Sequence, residues 1–206
     1  MRESRVEIPA GEIVLDGELA IPPRAECVVA VADSGRVGRA LARAFNEAAM
    51  ATLLIALRAS RERSEATRLT RRLLAVTDWL RSEPSTAALA IGYCASDLAA
   101  AAALSSAAER PNEVAAIVSR AGRPDLAADS IPRIRAPTLL LAGDEDEPIL
   151  ALNQAALEGL HCEKALRIIP GATHLAEAAT ALPEIARMAT VWFRRYLVIA
   201  GIERWL

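Results

Sequence analysis

Three side chains in this sequence have the types and the order needed for nucleophilic hydrolysis: Ser96, Asp146 and His174. A serine hydroxyl is a weak nucleophile until a neighbouring imidazole removes its proton, and the imidazole needs a carboxylate to fix its tautomer and stabilise its charged form. Each candidate follows an apolar run. Ser96 ends Ile91-Gly92-Tyr93-Cys94-Ala95 and leads into the alanine-rich Asp97-Leu98-Ala99-Ala100. That pattern predicts a strand turning sharply into a helix, the setting of a nucleophile elbow. Asp146 lies in Gly143-Asp144-Glu145-Asp146-Glu147-Pro148, and His174 closes Pro170-Gly171-Ala172-Thr173-His174. The tetrahedral intermediate needs backbone N–H donors, expected from Asp97 and from Ser34 in Asp33-Ser34-Gly35.

The elbow pattern G-x-S-x-G keeps small residues on both sides of the serine so that strand and helix can approach. Here Cys94 and Leu98 occupy the flanking positions, and the oxyanion loop is the short Asp33-Ser34-Gly35-Arg36. An inward-facing Asp33 carboxylate would oppose a developing oxyanion. These departures define a second reading, a catalytically impaired member of the same fold serving binding or assembly.

Each candidate also has a structural reading. Ser96 fits the N-cap of its helix. Asp144 competes with Asp146 for the acid role; the spacing to Pro148 favours Asp146, and Asp144 fits a turn. Asp125 fits the cap of a short helix after Pro124. Cys94 lies two residues early for the nucleophile and reads as a packing thiol, and His161 as a helix-end residue. The arginines from Arg58 to Arg72 are interleaved with glutamates and read as a solvated face. Gly35 and Gly38 lack the lysine and spacing of a phosphate-binding loop.

The elements that must position these residues follow from hydrophobic periodicity. Val6 to Ala20 alternates apolar and polar residues around Ala10-Gly11, as a hairpin does. Continuous apolar runs at 27–32, 51–57, 89–93, 114–119, 136–142 and 165–169 predict strands buried on both faces of a parallel sheet. Helical spacing lies between them, at 37–49, before Trp79-Leu80, after Ser96, at 149–160 and at 182–197. Strand–helix alternation with short connections predicts an α/β sheet with helices on both faces. In such sheets sites form outside the carboxyl ends of the strands, where all three candidates fall.

The 206 residues fit a single domain, with no segment set aside for a lid. Hydrophobic residues make up 53% and aromatics 3%, so the core is aliphatic. A net charge of −2 gives no field suited to nucleic acid or an anionic membrane surface. No window approaches a membrane span. No signal-peptide core is present, and the three widely spaced cysteines fit buried free thiols in a reducing, cytoplasmic setting.

Several segments together, Val28 to Gly35, Phe45 to Leu54, Asp78-Trp79-Leu80, Ile91 to Ala103, Val118 to Leu126, Arg135 to Leu140 and Pro170 to His174, resemble the dienelactone-hydrolase-like branch of the α/β-hydrolases over almost the full chain. The resemblance implies a three-layer α/β-hydrolase fold with a mostly parallel, eight-stranded sheet. It also implies a Ser96–Asp146–His174 triad acting on small esters or lactones through an acyl-enzyme. That mechanism needs no cofactor or metal. The expected partner is a small-molecule ester or lactone, and the 6–20 hairpin or the final helix could support a homodimer.

Overall fold

The computed structural model describes residues 1–57, 65–172 and 181–199. His174, Arg58, Arg61, Arg63 and the Trp205-Leu206 tail lie outside the described residues. The strands are β1 (Arg2–Ala10), β2 (Ile13–Ile21), β3 (Cys27–Ala32), β4 (Ala51–Ile55), β5 (Ala90–Ser96), β6 (Val114–Gly122), β7 (Thr138–Gly143) and β8 (Lys164–Ile169). The helices are α1 (Arg36–Glu47), α2 (Glu65–Ser82), α3 (Asp97–Glu109), α4 (Glu147–Gly159) and α5 (Leu182–Phe193), the last continued by a π-helical segment, Arg194–Ile199.

The eight strands form one sheet in the order β1-β2-β4-β3-β5-β6-β7-β8. β1 pairs with β2, and β2 with β4, antiparallel; every other pairing is parallel. The apolar runs account for this arrangement. β3, β4 and β7 are buried at every residue, as strands covered on both faces must be. β1 and β2 alternate, so Ile8, Leu15 and Leu19 enter the core while Glu7, Asp16 and Glu18 face water.

Two cores flank the sheet. One packs α2, α3 and α4 through Leu69, Leu73, Val76, the alanines at 100–103 and Ala156. The other packs α1 and α5 through Leu41, Phe45, Ile185 and Phe193, with the two phenylalanine rings edge-to-face at 5.4 Å. The buried face of α3 is mostly alanine, Ala100 to Ala103 with Ala107 and Ala108, and Leu104 and Ser106 are its only larger buried residues.

The chain runs outward from β3 to β4 and then crosses back to β5 on the other side of β3. Such a reversal is where an open parallel sheet is expected to form a ligand crevice, here at the carboxyl ends of β3 and β5. One expectation needs correction. The strand expected at 114–119 continues to Gly122, because Arg120 is buried in the sheet opposite Ser96 and Gly122 adds a bridge to Asp97. Among the described residues, no helix is long and apolar enough to cross a membrane.

Candidate active site

The crevice is built from the ends of β3, β5, β6, β7 and β8. At the end of β5 the backbone turns through Asp97, not Ser96. Ser96 is extended, with φ −131° and ψ 160°, and its Cα partners Arg120 on β6. Asp97 has φ +50°, a left-handed conformation that costs a non-glycine residue about 1–2 kcal/mol. The apex of the turn is therefore one residue later than the sequence spacing indicated. The physical reason lies in the flanks. Centred on Asp97, the segment reads Ala95-Ser96-Asp97-Leu98-Ala99, with a small residue on each side of the apex. Cys94 and Leu98, awkward as flanks of Ser96, then take ordinary places. Cys94 is buried in the core beneath α1 and α5, and Leu98 is half-buried against the core beneath α3.

Ser96 is half-buried, and its hydroxyl makes no capping bond to α3. The Asp97 side chain is exposed, and among the described residues its carboxylate takes part in no hydrogen bond or ion pair. Its backbone is held on the other side: Asp97 bridges Gly122, and Arg123 N–H donates to the Asp97 carbonyl at 3.3 Å. Gly122 must lack a side chain, since a Cβ there would lie 2.8 Å from the Ala100 methyl of α3. The N–H that follows Asp97 belongs to Leu98, in the first turn of α3.

On the β3 side, Asp33 does turn inward, but it is neutralised. Its Oδ2 accepts from Arg120 Nη2 at 2.5 Å, and its Oδ1 accepts from Gly35 N–H at 2.8 Å. The Arg120 side chain is 1% exposed and that of Asp33 20%. The pair spans β5, because Asp33 follows β3 and Arg120 belongs to β6. The loop is fixed from outside by α1: a Cβ on Gly38 would sit 1.7 Å from the Asp33 carbonyl oxygen, so only glycine permits the approach. Ser34 is half-buried beside this loop.

The β7 side separates the two acid candidates. Asp146 is half-buried and caps α4, its Oδ1 accepting from Ile149 N–H at 3.4 Å. Asp144 is exposed and accepts from Gly171 N–H at 2.7 Å, tying the β7 loop to the turn after β8. Asp125 sits in the short helical turn expected after Pro124 and pairs with Arg123 through two hydrogen bonds, at 2.9 and 2.7 Å. The Arg123 guanidinium holds the Asp125 carboxyl below its ordinary value. Burial pushes the Cys94 thiol up to about 12, with Arg120 opposing and Asp33 adding to the shift.

Among the described residues, Ser96 lies opposite Arg120 and Arg120 bonds to Asp33, with Asp97 next in the chain, while Asp146 caps α4 and His174 is outside the described residues. Among the described residues no group of three or more His, Cys, Asp or Glu side chains could hold a metal ion. Two contributors escaped the sequence reading. Arg120 was signalled only by a lone charge inside an apolar run. Asn153, fully buried on α4, donates to the Gly122 carbonyl at 3.2 Å and was hidden within an amphipathic helix.

Comparison with known proteins bears on this geometry. The family model described as the dienelactone hydrolase family matches residues 41–184. The dienelactone hydrolase from Anabaena variabilis is 40% identical, with 95% of this chain and 98% of that one covered, at a TM-score of 0.89. A lid-less α/β serine hydrolase from Xanthomonas campestris, XC6422, shares the fold at 19% identity, 95% coverage of both chains and a TM-score of 0.72. A protein of Mycobacterium tuberculosis named "Putative phosphoribosyl transferase Rv0571c" is 37% identical over 213 residues, covering 98% of this chain and 48% of that protein. The chain thus spans about half the length of the curated relatives it matches.

Proposed function

Because the chain belongs to the dienelactone hydrolase family and has the α/β-hydrolase fold, we propose that it is a small-molecule hydrolase whose reaction centre is the Asp97 carboxylate at the elbow apex, in place of a serine hydroxyl. The observation that carries this reading is the backbone at Asp97, the strained φ of +50° between Ala95 and Ala99. Strain of this kind persists where surrounding structure enforces it, and it recurs at reacting groups. A serine at the apex would need an imidazole to become nucleophilic, whereas a carboxylate attacks through its own oxygen lone pair.

A second reading, hydrolysis of small esters or lactones through an acyl-enzyme on Ser96 with His174 as base and Asp146 orienting it, is favoured by one observation. The Ser96 hydroxyl is half-buried at the strand end and is not consumed by capping α3.

Labelling with a fluorophosphonate, alongside p-nitrophenyl acetate turnover, separates the two. On the Asp97 reading the wild type takes no label at Ser96 and shows no ester burst, while Asp97→Ser, which puts a hydroxyl at the apex, gains label at position 97. A wild-type label on Ser96, lost in Ser96→Ala together with ester turnover, would overturn it in favour of the acyl-enzyme.

A further inference from the structure

We propose that Asp97 attacks a saturated carbon bearing a leaving group, so that the substrate is a small neutral electrophile such as an epoxide or alkyl halide; this rests on the Asp97 reading above. The reasoning starts from what a carboxylate can do at that apex. Attack on an ester carbonyl would give a tetrahedral adduct, from which carboxylate leaves more readily than alkoxide, so the step runs back to its start. Attack on a saturated carbon gives a simple ester, which persists until water removes it.

The balance is complete without a further reactant. A lone pair of Asp97 Oδ forms the bond to carbon while the bond from carbon to halogen or epoxide oxygen breaks, and the leaving atom takes that electron pair. Water then adds to the carbonyl carbon of the Asp97 ester. The alkyl oxygen departs as an alcohol, the carboxylate is restored, and the proton from water goes to solvent or to the departing oxygen.

Three features of the crevice fit this substrate class. The Asp97 side chain is exposed, and among the described residues its carboxylate makes no hydrogen bond, with the Arg123 guanidinium near enough to feel its charge. The N–H of Leu98 lies in the first turn of α3, where N–H groups have no acceptor within the helix, so it is a candidate donor to the ester carbonyl oxygen during hydrolysis. The charge pattern argues against an anionic substrate. Arg120 and Arg123 are already held by Asp33 and Asp125, and the exposed Arg36 faces five acidic residues in the neighbouring loops, Asp97, Asp144, Glu145, Asp146 and Glu147. Leu98, half-buried beside the apex, offers an apolar wall for a hydrocarbon body.

The test uses the full chain with styrene oxide and bromobutane as probes in water enriched in heavy oxygen, followed by mass spectrometry of the peptide containing Asp97. Repeated turnover should place heavy oxygen in the Asp97 carboxyl, because the incoming water oxygen ends there and the product carries off an Asp97 oxygen. Asp97→Asn, checked for native circular dichroism, should lower product formation on the order of a thousandfold or more. The isotope result on wild type does not depend on the variant folding. Heavy oxygen in the product with none in Asp97 would mean direct attack by water and would overturn the proposal, as would no consumption of either probe. The two levels of inference fail differently. A fluorophosphonate label on Ser96 removes the Asp97 reading itself, whereas an unlabelled Ser96 with both probes untouched removes only the substrate class.

Discussion

The Asp33–Arg120 pair should dominate the stability of the crevice, and its removal gives a quantitative test. Asp33→Ala removes the Asp33 carboxylate from a guanidinium that is 1% exposed, on a strand with neighbours on both sides. Breaking one side of a buried pair costs about 3–5 kcal/mol, because the remaining charge loses its counter-charge. The Asp33 side chain is 20% exposed, so water can enter the space it vacates, and the low end, about 3 kcal/mol, is expected. For a chain of this length that corresponds to a fall in Tm of roughly 6–12 °C. Arg120→Met should cost less, since Asp33 keeps its bond from Gly35 N–H and can turn to solvent. The double variant should be less destabilised than the sum of the singles, with a coupling of about 1 kcal/mol or more. Urea unfolding of all four proteins measures the cycle. Single effects that add to within about 0.5 kcal/mol would show that the two charges do not sense each other and would refute the reasoning.

The thiols offer a second check. Burial, with a smaller contribution from Glu26, pushes Cys27 up to about 12, as burial does Cys94. In mildly alkaline buffer the native protein should react with a thiol reagent at Cys162 first, and at Cys27 and Cys94 only after unfolding; rapid reaction of Cys94 in the native state would contradict its burial. The sign for stability follows. The unfolded thiols ionise near 9.0 while the folded ones hold their protons to about 12, so the contribution is full below 9.0 and is lost as pH rises from there towards 12. Each thiol should lower unfolding free energy by up to about 1.4 kcal/mol per pH unit in that window, and a flat urea midpoint there would be inconsistent with it. Gly38→Ala forces a methyl against the Asp33 carbonyl and should cost about 1–3 kcal/mol by overpacking, visible as a lower urea midpoint at unchanged slope; an unchanged midpoint would mean that α1 does not fix the loop.

The α/β architecture was legible because each buried strand is an unbroken apolar run and each helix restores a periodic face. The long-range pieces were not. Asp33 and Arg120 are 87 residues apart, and nothing in local spacing pairs them. The end of β6 was missed because a charged residue in a strand ordinarily marks its boundary, whereas Arg120 stays inside by taking its counter-charge from another loop. The elbow was legible as an element but not to the residue. That the left-handed residue is Asp97, between Ala95 and Ala99, was not legible, because a pattern keyed to glycine does not register alanine in those places. The division of Asp144 and Asp146 between turn and cap depends on Gly171 N–H and Ile149 N–H, positions set by folding.

The side chains around the crevice also determine how it can move. Asp33 fastens the β3 loop to β6, Asn153 fastens α4 to the end of β6, and Asp144 fastens the β7 loop to the turn after β8. Each tie joins segments that would otherwise fluctuate separately, and together they run from one side of the opening to the other. The entropy of ordering this rim is spent when the chain folds, not when a ligand arrives. Amide exchange at Gly35 and Gly171, whose N–H groups are held by Asp33 and Asp144, should therefore be slow in the empty protein and change little when a ligand binds.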